Sequence, residues 1–416
     1  PEPAALCWTV TLEPGATWRT CLQVSVSASG NRIEPSHPCG SVIDDAIPTR
    51  RLRRWRDSTA RVETDHGDLA RAVRQSVEDL GALRIFDPQH TDRVVVAAGA
   101  PWFMALFGRD SLLTSWMALL VDHELARGVL AELAESQGTR VNPRTEEQPG
   151  RIMHEIRFDR LSSSLLGDGG LYYGTADATP LFVMLVAELA RWSGPTDEIA
   201  ALLPAVDRAL DWVETYGDRD GDGFVEYVRS DPNGLEHQGW KDSWDGIRHD
   251  DGAIAVPPIA LCEVQGYVYA AHRGRAALAR AFGEPDATVR RHEQRAEALR
   301  HRFDEAFWLP DVGWYAVGLD HEKRPISSLT SNIGHLLWTG IVPDERAREL
   351  ADLLTSPVMF SGWGLRTLAA DAVGYNPLSY HCGSVWPHDT ALAIAGLARY
   401  GCDDAAHRLA LALIAT

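Results

Sequence analysis

The sequence predicts a mainly α-helical protein, an (α/α)6 toroid that is preceded by the tail of a β-sandwich domain. Three observations carry this prediction. From about Thr64 onward, helices that are apolar nearly all round alternate with helices that have a single apolar stripe. The two kinds together number roughly eleven, one fewer than six helical hairpins contain. The first fifty residues alternate instead like strands.

The two kinds of helix predict two concentric layers. The segments 112–121, 181–189 and 385–397 are apolar on every side, which is typical of helices that are buried all round. In 123–135 and 294–307 the apolar residues recur at helical spacing on one face, with charges elsewhere. We therefore expect the first kind to form an inner ring and the second kind to cover it.

The amino-terminal residues predict a different domain. Leu6–Leu12 and Cys21–Val26 alternate between apolar and polar side chains, but two strands are too few to fold alone. Residues 1–50 are therefore interpreted as the C-terminal part of an N-terminal β-domain. The basic run Arg50–Arg56, either a linker or a solvated helix face, leads into 51–416, the (α/α)6 catalytic domain.

The end of the sequence lies within an apolar helical run, Ala405–Thr416. A toroid of six hairpins needs one more helix than the pattern supplies, so the sequence predicts that this domain is truncated at its C-terminal end.

Composition excludes several classes of partner. The formal net charge is −18, from 58 acidic and 40 basic residues, so the chain repels nucleic acid. No apolar run reaches 18 residues, so no membrane span is expected. Fourteen tryptophans favour a carbohydrate partner, because an indole face stacks on the apolar face of a sugar ring. The same residues can instead fill a large core, and the oligomeric state is left open.

The cysteines include no CxxC pair. This spacing predicts neither a zinc site nor a disulfide framework, and no metal centre is assigned. Reduced thiols and the absence of a signal-peptide pattern favour a cytoplasmic location. The six cysteines are Cys7, Cys21, Cys39, Cys262, Cys382 and Cys402.

Polar motifs come directly before the inner helices. Gly108–Asp110, Tyr172–Asp177 and His381–Ser384 each precede one of them. Inner helices of a toroid run parallel to one another, so the preceding loops share one rim. A rim of loops on a rigid scaffold predicts the mouth of a substrate pocket.

The segment 238–246 concentrates two carboxylates, an amine and two indoles. Glycoside hydrolysis needs a carboxylic acid that stays protonated, and a carboxyl beside tryptophan loses hydration and gains pKa. Asp242 fits this role, although an aspartate that caps a loop fits the same pattern. Lys241 and Asp245 either pair with each other or contact sugar hydroxyls.

Other rim residues have two interpretations each. Arg109 and Asp110 either bind adjacent sugar hydroxyls or form a structural ion pair. Asp177 is either a pocket residue or a satisfied buried cap. Trp386 and His388 open the last inner helix, and the first turn of an inner helix points toward the rim.

One acidic loop is similar to a calcium loop. Asp218, Asp220 and Asp222 stand at alternate positions, with glycine at the sixth, but Arg229 replaces the glutamate expected at position 12. An Asp/Gly turn explains the pattern equally. Calcium is thus the only cofactor that the sequence raises, and otherwise none is predicted.

The motifs, in this order along the chain, resemble the amylo-α-1,6-glucosidase (glycogen debranching enzyme) family. The matching segments are Pro101–Phe103, Phe107–Asp110, Asp168–Gly174 with Asp177 and Thr179, Gly239–Ser243, Glu263–Tyr267, Gly362–Thr367, and Tyr380–His381 through Trp386–Asp389. The resemblance implies a toroidal glycoside hydrolase of the six-hairpin type that inverts the anomeric centre. Its substrate would be an α-linked glucan, with α-1,6 branch glucose as the prototype.

The resemblance also implies roles. Asp242 matches the general acid, and the catalytic base would be a glutamate in a loop beyond Thr416. The motifs and the rim loops together nominate a set of substrate-binding residues. These are Trp102, Arg109, Asp110, Tyr173, Asp177, Trp240, Lys241, Trp244, Asp245, Gln265, Trp363, His381, Trp386 and His388.

Two other classes of function compete with hydrolysis. The chain can be a non-catalytic glucan-binding toroid, or an inactive fragment without its base. The same barrel also serves lyases and phosphorylases. A lyase acts on acidic sugars and needs a basic pocket, whereas these motifs carry aspartate and tryptophan. A phosphorylase is distinguished by turnover that depends on phosphate.

Overall fold

A computed structural model describes residues 5–28, 31–33, 37–86, 90, 93–156 and 170–416. Asp168 and Gly169 of the second motif lie outside the described residues. The chain divides into two compact units, Pro1–Ser58 and Thr59–Thr416. The division comes eight residues after the domain boundary predicted at residue 50.

The described part of the first unit contains one antiparallel hairpin, a 3-10 turn and one helix. Strand β1 (Val26–Ala28) pairs with β2 (Asn31–Ile33), and α1 is Ile47–Ser58. The basic run therefore belongs to a helix. Leu6–Leu12 forms no strand, because among the described residues no second strand pairs with it. The assignment of this unit to a β-sandwich stays a prediction.

The prediction of reduced thiols is wrong for two cysteines. Cys21 and Cys39 form a disulfide whose Cα atoms are 5.9 Å apart. The sequence hides this pair, because 18 residues separate the two positions and only the fold of the unit brings them together. Disulfides are rare in cytosolic proteins, so the bond removes the argument for a cytoplasmic location.

The second unit is mainly helical, as predicted. Its eleven described α-helices are α2 (Gly67–Ala82), α3 (Gly108–Ala118), α4 (Glu124–Glu135), α5 (Ala178–Ser193), α6 (Asp197–Trp212), α7 (Cys262–Ala281), α8 (Asp286–Phe307), α9 (Asn332–Thr339), α10 (Asp344–Leu354), α11 (Pro387–Arg399) and α12 (Asp403–Ile414). A π-helical turn, Val213–Gly217, extends α6. Among the described residues, no helix combines the length and the apolarity that a membrane span requires.

The helices form the two predicted layers. The inner helix α3 packs against α5, α5 against α7, α7 against α9, and α9 against α11. Outer helices cover this series, as α8 does where it packs along α7. The sequence explains the difference, because α8 buries Val289, Ala296, Leu299 and Phe303 at helical spacing. The toroid predicted from the alternation is confirmed.

Short strands fix the loops that enter the inner helices. Strand β5 (Leu106–Phe107) ends where α3 begins and pairs with β6 (Glu155–Ile156), which pairs with β7 (Leu171–Tyr172). Strand β8 (Ala260–Leu261) ends where α7 begins and lies in a second small sheet. The remaining strands are β3 (Arg84–Phe86), β4 (Val94–Val96), β9 (Trp308–Leu309), β10 (Trp314–Tyr315), β11 (Gly318–Leu319) and β12 (Pro325–Ile326).

Candidate active site

Arg109 joins the predicted rim loops to one another. It lies in the first turn of α3, and its Nη1 donates to Asp177 Oδ2 at 2.9 Å, immediately before α5. Nη1 also donates to the carbonyl of Gly239 at 2.9 Å, and Nη2 donates to Asp242 Oδ2 at 2.8 Å. The N-terminal ends of two inner helices and the segment of Asp242 therefore meet at one guanidinium.

The ion network around Arg109 is buried. Asp177 is fully buried, and its Oδ1 accepts a hydrogen bond from Thr175 Oγ1 at 2.6 Å. Burial opposes the charge of Arg109, but Asp177 and Asp242 outweigh that effect and raise its pKa. The guanidinium is thus a permanent cation that neutralises carboxylates inside the rim. Asp177 does not line the cavity, and its side chain makes no capping hydrogen bond to α5, so in the structure it is a satisfied buried group that supports the site through Arg109.

Asp242 has the environment of a general acid. Its side chain is 26% exposed, and the exposed part lines the cavity. Burial raises its pKa, Arg109 lowers it, and the negative charges of Asp110 and Asp177 raise it again, with a net increase. A carboxyl with a raised pKa holds a proton at a higher pH than a free aspartate does.

The rim encloses a cavity of about 240 Å³. Small-molecule pockets measure about 300–1,000 Å³, so this one suits a ligand near the lower limit, such as a single sugar ring with a small aglycone. Seven of the predicted site residues line it, and these are Arg109, Asp110, Trp240, Asp242, His381, Trp386 and His388.

Aromatic rings form one wall of the cavity. Trp240 meets Trp386 edge to face at 6.0 Å between ring centroids, and it meets His388 at 5.1 Å. His381 stacks on Trp386 at 5.3 Å. Burial lowers the pKa of His381 to about 3 and that of His388 to about 4, so both imidazoles are neutral near pH 7. The wall offers apolar ring faces and uncharged hydrogen-bonding groups, which suit a sugar.

A buried chain of contacts behind the cavity wall holds Trp240 in place. Trp240 stacks on His335 with their rings 9° from parallel. His335 Nε2 lies 2.8 Å from Asp389 Oδ1, and its Nδ1 lies 2.5 Å from the hydroxyl of Tyr267. Burial alone would raise the pKa of Asp389, but the bond to His335 outweighs it and the pKa is lowered. The charged carboxylate and the hydroxyl together hold His335, and thus Trp240, in place.

Three predicted residues bond to the protein away from the cavity. Lys241 is buried, and its Nζ donates to the carbonyl of Thr367 at 2.6 Å. Gln265 Nε2 donates to the carbonyl of Val225 at 2.8 Å, which ties α7 to that segment. The hydroxyl of Tyr173 donates to the carbonyl of Ser136 at 2.8 Å. None of the three lines the cavity, and substrate contact by them stays a prediction.

Four further predicted residues also lie off the cavity wall. Trp102, Trp244 and Trp363 are 79%, 66% and 59% exposed, so their ring faces meet solvent. Asp245 Oδ2 lies 3.6 Å from Arg248 Nη2. The pairing of Asp245 with Lys241 that the sequence suggested does not form, because Lys241 points into the interior.

The structure adds lining residues that sequence reasoning missed. Leu113 and Met117 of α3 line the cavity, and they follow Arg109 at intervals of four residues. That spacing places all three on one helix face, a signal that the sequence contains. Tyr380 also lines the cavity, and it stood within a matching motif without being singled out. The other added residues are Ala98 and Thr114.

The acidic loop after α6 binds the ammonium group of a lysine, Lys323. Oxygens of Asp218, Asp220 and Asp222 lie within 4.8 Å of one another. Lys323 Nζ lies 2.8 Å from Asp220 Oδ2 and 2.6 Å from Asp222 Oδ2, and it also bonds to Glu226. The ammonium therefore supplies positive charge where the sequence suggested calcium, and calcium binding stays a prediction.

Solved structures of other proteins share the fold of this chain. A GH63 mannosylglycerate hydrolase from Thermus thermophilus in complex with glucose superposes with a TM-score of 0.61 at 18% identity, over 82% of this chain and 90% of that one. A rhamnosidase from Klebsiella oxytoca with rhamnose bound gives a TM-score of 0.54 at 15% identity, over 84% and 55%. At these identities the likeness concerns the fold.

Sequence comparison is more specific. The chain is 31% identical over 150 residues to a mannosylglycerate hydrolase from Rubrobacter radiotolerans, which is 35% of this chain and about a third of that protein's length. The model of the mannosylglycerate hydrolase MGH1-like glycoside hydrolase domain matches residues 167–416. These matches confirm the six-hairpin glycosidase type and do not support the finer assignment to glycogen debranching. The chain belongs to the MGH1-like glycoside hydrolase family.

Proposed function

We propose that this chain hydrolyses a glycosidic bond by an inverting acid/base mechanism in which Asp242 is the general acid. The observation that carries the proposal is the position of Asp242 at the edge of a small aromatic-walled cavity, partly buried and with a raised pKa. A protonated carboxyl there donates its proton to the glycosidic oxygen as the bond to the leaving group breaks. A water molecule attacks the anomeric carbon from the opposite face and gives its proton to the catalytic base, the glutamate that the sequence resemblance implies.

Arg109 prepares Asp242 for this task. Its guanidinium fixes Oδ2 at 2.8 Å, which leaves Oδ1 to carry and donate the proton. Arg109 also limits the rise in the pKa of Asp242, since a carboxyl with too high a pKa is a weak acid. Asp110 is the other carboxylate on the cavity wall, and we assign it to sugar hydroxyls.

The substrate class that fits best is a short glycoside. A cavity of about 240 Å³ suits one sugar ring better than a branched glucan. The relatives named above include enzymes called mannosylglycerate hydrolases. We therefore place mannosylglycerate first in a substrate panel, and the α-1,6 branch glucose implied by the sequence resemblance second.

The test measures sugar release from that panel by the parent chain and by Asp242→Asn. Losing a general acid costs about 10²- to 10⁴-fold in rate, so the variant should be nearly inactive while its circular dichroism is unchanged. Asp245→Asn is the matched control, because it removes a carboxylate three residues away that pairs with Arg248. Near-normal turnover by Asp242→Asn overturns the assignment of the acid.

The same panel separates the competing functions. A parent chain that binds a glycoside in calorimetry but releases no sugar overturns hydrolysis by this chain and supports the alternative, a non-catalytic binding toroid or an inactive fragment without its base. Turnover that requires added phosphate overturns it in favour of a phosphorylase.

A further inference from the structure

The segment that carries Asp242 has no regular secondary structure, so side chains from elsewhere must fix its position. Gln238, four residues before Asp242, is almost fully buried. Its Nε2 donates to Glu146 Oε2 at 2.6 Å, and its Oε1 accepts from Arg151 Nη2 at 2.8 Å. Both ends of this amide are therefore held by one neighbouring loop, which contains Glu146 and Arg151.

Glu146 and Arg151 form the centre of this buried network. Arg151 Nη1 donates to the backbone carbonyl of Glu146 at 2.8 Å. Glu146 Oε1 accepts from the hydroxyl of Tyr172 at 3.2 Å, and that hydroxyl accepts from the backbone N–H of Leu235 at 2.9 Å. The carboxylate is thus linked to the segment that leads to Asp242 at two points, Leu235 and Gln238.

A second path leads from the same network to Asp242. Arg151 Nε donates to the carbonyl of Thr175 at 3.1 Å. Thr175 bonds through its hydroxyl to Asp177, and Asp177 bonds to Arg109, which holds Asp242. The Glu146–Arg151 loop is therefore connected to Asp242 in two ways, through the backbone that precedes Asp242 and through its counterion Arg109.

Glu146 has an unfavourable backbone conformation. Its backbone φ is 58°, in the left-handed region that residues other than glycine seldom adopt. A Cβ on Gly234 would come within 2.4 Å of Glu146 Oε1, so only glycine leaves room for the carboxylate. Conformations of this kind persist where the surrounding contacts determine them and are concentrated at functional sites.

We propose that Glu146 is a positioning residue for Asp242, which it holds through Gln238 and Arg151 in the geometry needed for proton donation. Glu146 does not line the cavity, so its effect on the reaction is indirect. The inference rests on the proposed function of Asp242 as the general acid.

The first test compares kcat and KM of Glu146→Ala with those of the parent. A misplacement of about 1 Å costs about 100-fold in rate, so we expect kcat to fall about 10- to 100-fold with KM little changed. Glu146→Gln should recover most of that loss, because its amide oxygen still accepts from Gln238. Glu147→Ala is the matched control, since Glu147 is a buried neighbour that instead bonds to Arg140 and the N–H of Thr139.

A second variant removes the same link from its other end. Gln238→Leu should lower kcat as Glu146→Ala does, and the double variant should lose no more than either single one. Additive losses would show that the two side chains act separately, and they would overturn the proposal. An equal fall in kcat in Glu147→Ala would overturn it too, because general destabilisation would then explain the effect.

The last measurement does not depend on turnover. The pKa of Asp242 is followed by carboxyl ¹³C NMR, with its signal assigned through Asp242→Asn. Glu146→Ala and Gln238→Leu should each shift that pKa from the parent value, while Glu147→Ala should leave it in place. An unchanged pKa in both variants overturns the positioning role even if the chain proves inactive. A shifted pKa in an inactive chain supports positioning while the proposed hydrolysis fails.

Discussion

Replacing Arg109 by alanine should destabilise the fold as well as the site. Arg109 is 7% exposed, and its guanidinium already donates to Asp177, Asp242 and the carbonyl of Gly239. Three of the five guanidinium N–H groups are therefore used within the protein, and the ion pairs of Arg109 are with Asp177 and Asp242 rather than with Asp110. Alanine would leave the fully buried Asp177 without its counterion.

The size of the effect follows from burial. Breaking a buried ion pair by removing one partner costs about 3–5 kcal/mol, because the remaining charge is uncompensated. The Asp177 bond belongs to this class, since that side chain has no exposure. The Asp242 bond contributes less, because 26% of that side chain meets solvent and screens the charge. We expect a loss of about 3–5 kcal/mol in the free energy of unfolding.

The assay is urea unfolding of Arg109→Ala followed by linear extrapolation. Arg127→Ala is the control, because Arg127 pairs on the surface with Glu124 at 2.8 Å, and surface pairs contribute about 0–1 kcal/mol. A loss in Arg109→Ala no larger than that of the control, together with weakened sugar binding, would refute the argument. Arg109 would then be a substrate ligand.

Two other predictions concern protons and metal. Burial lowers the pKa of His272 to about 3 and that of His292 to about 4, and their Nδ1 atoms lie 3.1 Å apart. Unfolded histidines titrate near about 6.5, so the stability these two confer is complete above that pH and is lost as the pH falls toward the folded values. Between pH 7 and 5, the free energy of unfolding of the double variant His272→Gln/His292→Gln should therefore depend less on pH than that of the parent. The second prediction concerns the acidic loop. Added calcium should leave the melting temperature of the parent unchanged and should raise that of Lys323→Met, because Asp220 and Asp222 have lost their ammonium partner in that variant. Equal responses of the two chains to calcium would contradict this prediction.

Periodicity predicted the architecture because helix burial depends on local spacing. The segment 181–189 lies within α5, which buries residues on all faces, and 294–307 lies within α8, which buries one stripe. The position of the motifs along the chain also predicted part of the site. Arg109 and Asp177 stand at the starts of parallel inner helices, and a ring of such helices brings the starts together.

The roles of individual side chains depended on distant parts of the chain. Lys241 and Asp242 are neighbours in sequence, yet one donates to Thr367 in the interior and the other faces the cavity. Gln265 lies in a motif of the family resemblance, but its side chain binds the backbone carbonyl of Val225. The Cys21–Cys39 bond likewise joins positions that no spacing rule connects.

The sequence by itself determined the class of fold, the two kinds of helix and the rim that carries the candidate site, because these follow from apolar spacing and chain order. Only the tertiary structure decided which rim residues meet. Arg109 reaches Asp242 across 133 positions, and Glu146 reaches Gln238 across 92. Hydrogen bonds and burial act over a few ångströms of space whatever the separation in sequence, so the pKa of Asp242 and the closure of the cavity emerge only after folding.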